Sequence, residues 1–417
     1  MVQGKQDDDD PGIDERDGGT LTLPGTTTVP DYDFRTGEYP VVDDGPTETL
    51  DAAGPSGAAG SGAAGSGASG NTPPYGVPVL GWQPGSPPGE PPAAAASPAP
   101  ARPIRDRLWP HLIWEIVLAA AVVTEVLLVL AQDDDAFRGD AGPAVALWIA
   151  TAVLLGSAAA LSLRGGMPNI AIGAIAIAAG ADYAWLISEG HPFGEALAMV
   201  LAGGALAGLV IALFGTLFGV PSWAVSLGIA GLLSGLVPAL ASSQARPIGS
   251  ETPDVHVSAE WWLAGAVALS MLGGLLLAVP ALRRFVGRPR PTGDPAKRIG
   301  FMASIAAAGA LAGSGVLAAA AGLLDTANRG TSAAGYTGMA ELAMIGFSVA
   351  LLGGVSAHGR RGGVFGVVLA AALLGLVRLH LDLVGADKWV GAVISGAAIL
   401  LGLVVTRVME RLGRRPL

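Results

Sequence analysis

Apolar stretches and charged gaps alternate ten times between Leu108 and Val408. The stretches fall at 110–131, 142–163, 167–188, 194–219, 221–241, 260–282, 300–323, 339–357, 364–384 and 389–408. Each approaches the roughly 20 residues that an α-helix needs to cross a hydrocarbon core. The pattern predicts an all-α polytopic membrane protein with about ten transmembrane helices. Both termini are expected on one side.

The charges orient these spans. Lys and Arg crowd into alternate gaps: sixteen fall on the side of the termini, against four (Arg138, Arg246, Arg329 and Lys388) on the other. Cytoplasmic loops carry the excess of positive charge, so both termini are expected in the cytoplasm of a multi-pass cell-membrane protein.

The formal net charge of −10 changes this picture little, because the excess of acid lies before the first span. Residues 1–107 contain Asp7 to Asp10, the run GAAGSGAAGSGASG (57–70) and Pro-rich sequence from Pro73 to Pro103. Such sequence has too little apolar surface to offset the entropy of ordering, and the segment is expected to be a disordered cytoplasmic tail. It lacks the basic and apolar regions of a secretory signal. Residues 108–417 then form the transmembrane domain.

Candidate chemistry is sparse. The chain has no cysteine, which excludes disulfides, thiolate metal sites and Cys nucleophiles. Its five histidines lack ligand spacing, and no GxxxxGK[ST] phosphate loop occurs. The chain is therefore expected to hold no cofactor or metal, to be no enzyme, and not to hydrolyse ATP itself.

The spans are rich in glycine, with pairs four apart at Gly204/Gly208, Gly309/Gly313 and Gly362/Gly366. In lipid, small residues let helix backbones approach closely, and tight packing is the first reading of these pairs. Two breaks interrupt the apolar pattern: Gly165-Gly166-Met167-Pro168-Asn169 and Gly219-Val220-Pro221-Ser222. Broken helices at membrane depth are tolerated where backbone is buried in protein or lines a cavity. The segments 204–223 and 362–389 share an order of small-residue pair, apolar run, turn and Trp. That echo suggests two related halves, spans 2–5 and 7–10, around a central path.

Ionisable groups in spans are costly in lipid and mark candidate sites. They are Glu115 and Glu125, Asp182, Glu341, and the group Arg378, His380 and Asp382. Arg378 and Asp382 share a helix face and can pair.

From about Arg164 to Arg415 the chain resembles the permease subunits of ATP-binding-cassette importers of the ribose and branched-chain amino acid type. Four segments carry the resemblance in the family's order: GGMPNIAIGAIAI (165–177), GALAGLVIALFGTLFGVPSWAVSLGIAGLLSGL (204–236), TGDPAKRIGF (292–301) and LLGGVSAHGRRGGVFGVVLAAALLGLV (351–377). The family's Glu-Ala-Ala signature is absent from the third, where Ala296 and Lys297 stand.

The resemblance implies a translocation path for a small polar solute. A ribose-like monosaccharide comes first, a nucleoside next and branched-chain amino acids third. It implies cytoplasmic ATPase subunits, an extracytoplasmic solute-binding protein and a second permease chain as partners, with no role for nucleic acid. Arg288, Asp294, Pro295, Lys297 and Arg298 fall on the loop expected to contact the ATPases. Small polar groups beside the breaks, Asn169 and Ser226, are expected to border the path, with Tyr183, Trp185 and Glu341 as further candidates. An ATP-independent secondary transporter and a non-transporting membrane scaffold are the rival readings.

Overall fold

The computed structural model describes residues 109–240, 259–289, 300–329, 336–359 and 365–412. The N-terminal tail lies outside them. Among the described residues there are eleven helices and no strand. They are α1 (Trp109–Gln132), α2 (Ala141–Arg164), α3 (Ile172–Ser188), α4 (Phe193–Leu217), α5 (Ser222–Leu240), α6 (Ala259–Ala278), α7 (Pro280–Val286), α8 (Phe301–Arg329), α9 (Tyr336–Leu352), α10 (Gly366–Leu383) and α11 (Lys388–Leu412).

Eight of these, α1, α2, α4, α5, α6, α8, α10 and α11, are long and apolar enough to cross a membrane. The third and eighth expected spans are shorter: α3 and α9 have 17 residues each. The reasons are local. Gly166 adopts a left-handed conformation (φ 71°) and Pro168 disfavours a helical Met167, so α3 begins at Ile172 rather than 167. Gly354 (φ 83°) likewise ends α9 at Leu352. The sixth stretch divides at Val279, which is extended (ψ 121°), and Pro280 opens the short α7.

Four helices form the centre. Each of α2 and α3 packs against both α8 and α9, giving a ring in the order α2, α8, α3, α9. The outer helices follow a matching plan. α4 lies on α8 and α3 while α10 lies on α2 and α9; α5 lies on α3 while α11 lies on α9. Exchanging α2–α5 for α8–α11 leaves these relationships unchanged, but α4 also packs on α5 without a matching contact of α10 on α11. α1 rests on α10, and α6 on α2.

Composition explains who sits inside. α8 is largely Ala and Gly, and buries Ala306, Ala307, Ala310, Ala318, Ala319 and Ala321 among its neighbours. A Cβ on Gly208 would lie 2.1 Å from the Leu311 carbonyl oxygen, and one on Gly315 1.9 Å from that of Gly204. Only glycine permits α4 and α8 to approach so closely, and such contact supplies packing that no hydrophobic force provides between helices in lipid. By contrast α1 exposes Leu112, Ile116, Val123 and Leu127, and α11 exposes Leu400 and Val404. Large apolar side chains on the outside of a helical bundle suit a lipid surround, and the build is that of a membrane-embedded protein.

Leaving out the short α7, the helices alternate in direction, so the bundle has two ends. One gathers Arg164, Arg283, Arg284, Arg288, Arg407 and Arg411. The other gathers Asp133, Asp134, Asp135, Glu189, Glu195 and Asp387. They are called the arginine-rich and acidic ends below.

Candidate functional site

At the arginine-rich end, the break between α2 and α3 becomes a buried junction of four helices. Gly165 and Gly166 turn the chain out of α2, with the Gly166 amide bonded to the Leu163 carbonyl at 2.8 Å and that of Met167 to Ser162 at 3.1 Å. Asn169 follows, and its Oδ1 accepts the Ala171 amide at 3.1 Å, a local turn that starts α3. Its side-chain amide donates to the Ser314 hydroxyl of α8 at 3.2 Å, and its backbone amide to the Ser162 hydroxyl of α2 at 3.3 Å. The next amide, Ile170, donates to Ser226 of α5 at 3.0 Å. Asn169, Ser162, Ser226 and Ser314 are all fully buried. Backbone freed by the break has thus found partners on α2 and α5, as lipid demands, and the Asn169 side chain has found one on α8.

The break between α9 and α10 lies against this junction. Gly359 is left-handed (φ 67°), and a Cβ there would meet the Leu163 carbonyl oxygen of α2 at 2.0 Å. In the same break, Ser356 donates its hydroxyl to Glu410 of α11 and accepts the His358 amide at 3.2 Å. Arg407 approaches the second oxygen of Glu410 at 3.4 Å. Trp114 of α1 donates to the Leu352 carbonyl at 2.7 Å. α1, α9 and α11 therefore meet around one broken segment, and a nearly buried carboxylate is held by a hydroxyl and a guanidinium.

α1 is further tied to α10 by its two glutamates. Glu115 accepts the Phe365 amide at 3.1 Å, beside the start of α10, where helix amides lack internal partners. Glu125 contacts His380 Nδ1 at 2.9 Å in the acidic half. Both sequence-expected carboxylates of the first span have partners.

The acidic end of the ring carries the other charges. Asp325, nearly buried near the end of α8, pairs with Arg329 at 3.0 Å. The Arg378 guanidinium stacks 5.5 Å from the Trp148 ring centre and lies 4.0 Å from Asp382. The expected Arg378–Asp382 pair is therefore loose and mostly exposed, not a bridge closed between helices.

Of the path residues expected from sequence, the fold brings Asn169 and Ser226 together at the buried junction. Tyr183 is buried towards the acidic end, edge-on to Phe193 with ring centres 6.4 Å apart. Trp185 is half exposed, and Glu341 is exposed. Arg288 sits over the Phe285 ring at 5.6 Å. Asp294, Pro295, Lys297 and Arg298 lie outside the described residues. Sequence reasoning passed over Ser162, Ser314, Ser356 and Glu410. Glu410 closes an apolar span and reads as a solvated end, while the serines resemble ordinary small helix residues.

No group of His, Asp and Glu among the described residues is placed to hold a metal ion. No protein-family model, curated protein or solved structure matches the chain.

Proposed function

We propose that this chain is a membrane-spanning permease subunit that forms, with a second copy or a sister chain, the path of a small polar solute through an ATP-driven importer. The observation that carries the reading is the packing plan of the ring. Most packing partners of α2–α5 around it have a counterpart in α8–α11, which supports two related halves. With the ten crossings that this reading takes, the two sets stand five apart and run in opposite senses. Two inverted halves meeting at broken helices is a construction transporters use to alternate access between the two sides of a membrane.

The four resembling segments support the importer class. Two of them, 165–177 and 351–377, contain the breaks that abut at the arginine-rich end. A third, 292–301, reaches the start of α8 at that same end. The arginine-rich end faces the cytoplasm in this reading. Separate ATPases press there on the loop containing Asp294, Pro295 and Arg298. Motion reaches the ring through the junction of Asn169, Ser226 and Ser314 and through the Ser356–Glu410 contact. A solute-binding protein delivers at the acidic end.

A second reading, a carrier driven by an ion gradient, draws on the Glu125–His380 contact within the membrane part. Purification from native membranes separates the two. The importer reading expects an ATPase subunit with the wild-type chain and its loss from an Asp294→Ala, Pro295→Ala, Arg298→Ala variant that still inserts. A chain that carries solute with no ATPase attached favours the carrier.

A further inference from the structure

Helix α7 bridges a gap in the bundle. α6 rests on α2, where the Ser157 and Ser270 hydroxyls bond at 3.0 Å, and it does not pack closely on α8. α7 nevertheless packs on both α6 and α8. The extended Val279 turns the chain off the axis of α6, and Pro280 starts α7 at once. A groove is left between α6 and α8, floored by α2 and roofed at the arginine-rich end by α7. Its walls are apolar. α6 exposes Leu272 and Leu276 in its last two turns, and α8 exposes Phe301, Met302 and Ile305 in its first two. Gly309 continues that stripe with open space around it. At 1.5 Å per residue, the stripe from Phe301 to Gly309 is about 12 Å long, close to the ~15 Å of one leaflet's hydrocarbon.

The roof is basic. Arg284 donates its Nε–H to the Pro280 carbonyl at 3.1 Å, which fixes the guanidinium on α7 and leaves its terminal N–H groups open. Arg288, one turn on, is braced over the Phe285 ring at 5.6 Å. Both are exposed, and among the described residues neither meets a carboxylate. Guanidinium edges suit phosphate oxygens. A phospholipid brings both parts on one molecule: an acyl chain for the groove and a phosphate for the arginines. In phosphatidylcholine the choline already answers the phosphate, so two guanidiniums favour a headgroup of net negative charge. The geometry points to a binding site for one anionic phospholipid, its tail between α6 and α8 and its phosphate on Arg284 and Arg288. The site needs only the bilayer, and it gives Arg288 a role apart from the ATPase contact that the resemblance implies.

The chain has no cysteine, so a single fluorophore on Ile305→Cys reports on the groove. One on Val404→Cys, exposed on α11, reports on the general lipid surround. The full chain is placed in phosphatidylcholine nanodiscs that contain a small share of tail-labelled lipid. That lipid is either phosphatidylglycerol or phosphatidylcholine, with the same nitroxide quencher on its acyl chain. At Ile305, phosphatidylglycerol should be enriched over phosphatidylcholine about tenfold or more, since each arginine near a membrane surface contributes roughly a fivefold preference. At Val404 the preference should be much smaller. Arg284→Gln and Arg288→Gln should each lower the preference at Ile305 about fivefold, and together they should abolish it.

Equal quenching of the Ile305 probe by the two lipids overturns the site. So does a preference that survives the double substitution or is matched at Val404. Quenching by neither lipid also overturns it, since a second copy or another protein would then fill the groove. The comparison at Ile305 keeps both arginines, so it decides the matter even where the double variant fails to insert. None of these results bears on whether an ATPase drives the chain, so the two readings fail separately.

Discussion

The side-chain amide of Asn169 reaches 145 residues along the chain to the hydroxyl of Ser314, at 3.2 Å. This bond fastens the break before α3 to the central helix α8, and both residues are closed to solvent. A polar group beside a helix break can face a wet path or satisfy its neighbours, and in this conformation Asn169 satisfies its neighbours.

Replacing Asn169 with Leu should therefore lower stability first. The change takes the amide donor from the Ser314 hydroxyl and the acceptor from the Ala171 amide, while the backbone bond to Ser162 is kept. An unsatisfied buried group costs about 1–3 kcal/mol. Thermal unfolding of the purified variant should fall accordingly, with uptake falling alongside. Unchanged unfolding with lost uptake would instead place Asn169 on the solute's route.

The glycines of the membrane part should divide sharply. Gly208→Val forces side-chain carbon into the Leu311 backbone and should cost about 3 kcal/mol or more, seen as loss of folded protein on size-exclusion chromatography. Gly309→Ala meets nothing within 4 Å and should gain roughly 0.5–1 kcal/mol through helix propensity. Equal effects at the two positions would refute close α4–α8 packing.

Because the chain has no cysteine, single cysteines report sidedness cleanly. A cysteine at Ser188, exposed at the end of α3, should react with a membrane-impermeant maleimide added outside intact cells. One at Gly219, exposed between α4 and α5, should react only after the membrane is opened. The reverse pattern would invert the proposed orientation.

Much of this architecture was legible in the sequence, since long apolar runs separated by charge become helices wherever backbone must satisfy itself. The ends of the helices were less so. Hydropathy carries the third stretch back to Met167 and the eighth on to Ala357, although Gly166 with Pro168 and the Gly353-Gly354 turn exclude helix there. It also stops the seventh at 323, whereas α8 runs on six residues to Arg329, where Asp325 and Arg329 form a pair of their own.

Asn169 and Ser226 stood out as polar residues next to breaks, and they do share one junction. Their partners did not stand out. Ser314 and Ser162 lie on other helices, and only the folded ring reveals which serine faces the break. The role of Glu410 depends on Ser356, 54 residues earlier. No local pattern announces such a pair.

The claim that a separate ATPase drives solute along this chain is tested most directly by uptake in membrane vesicles that carry the whole complex. With ATP supplied, vanadate should abolish accumulation of the solute, and collapsing the proton and sodium gradients with ionophores should leave it nearly intact. Accumulation that survives vanadate and vanishes with the ion gradients would contradict the account and make the chain a carrier working alone.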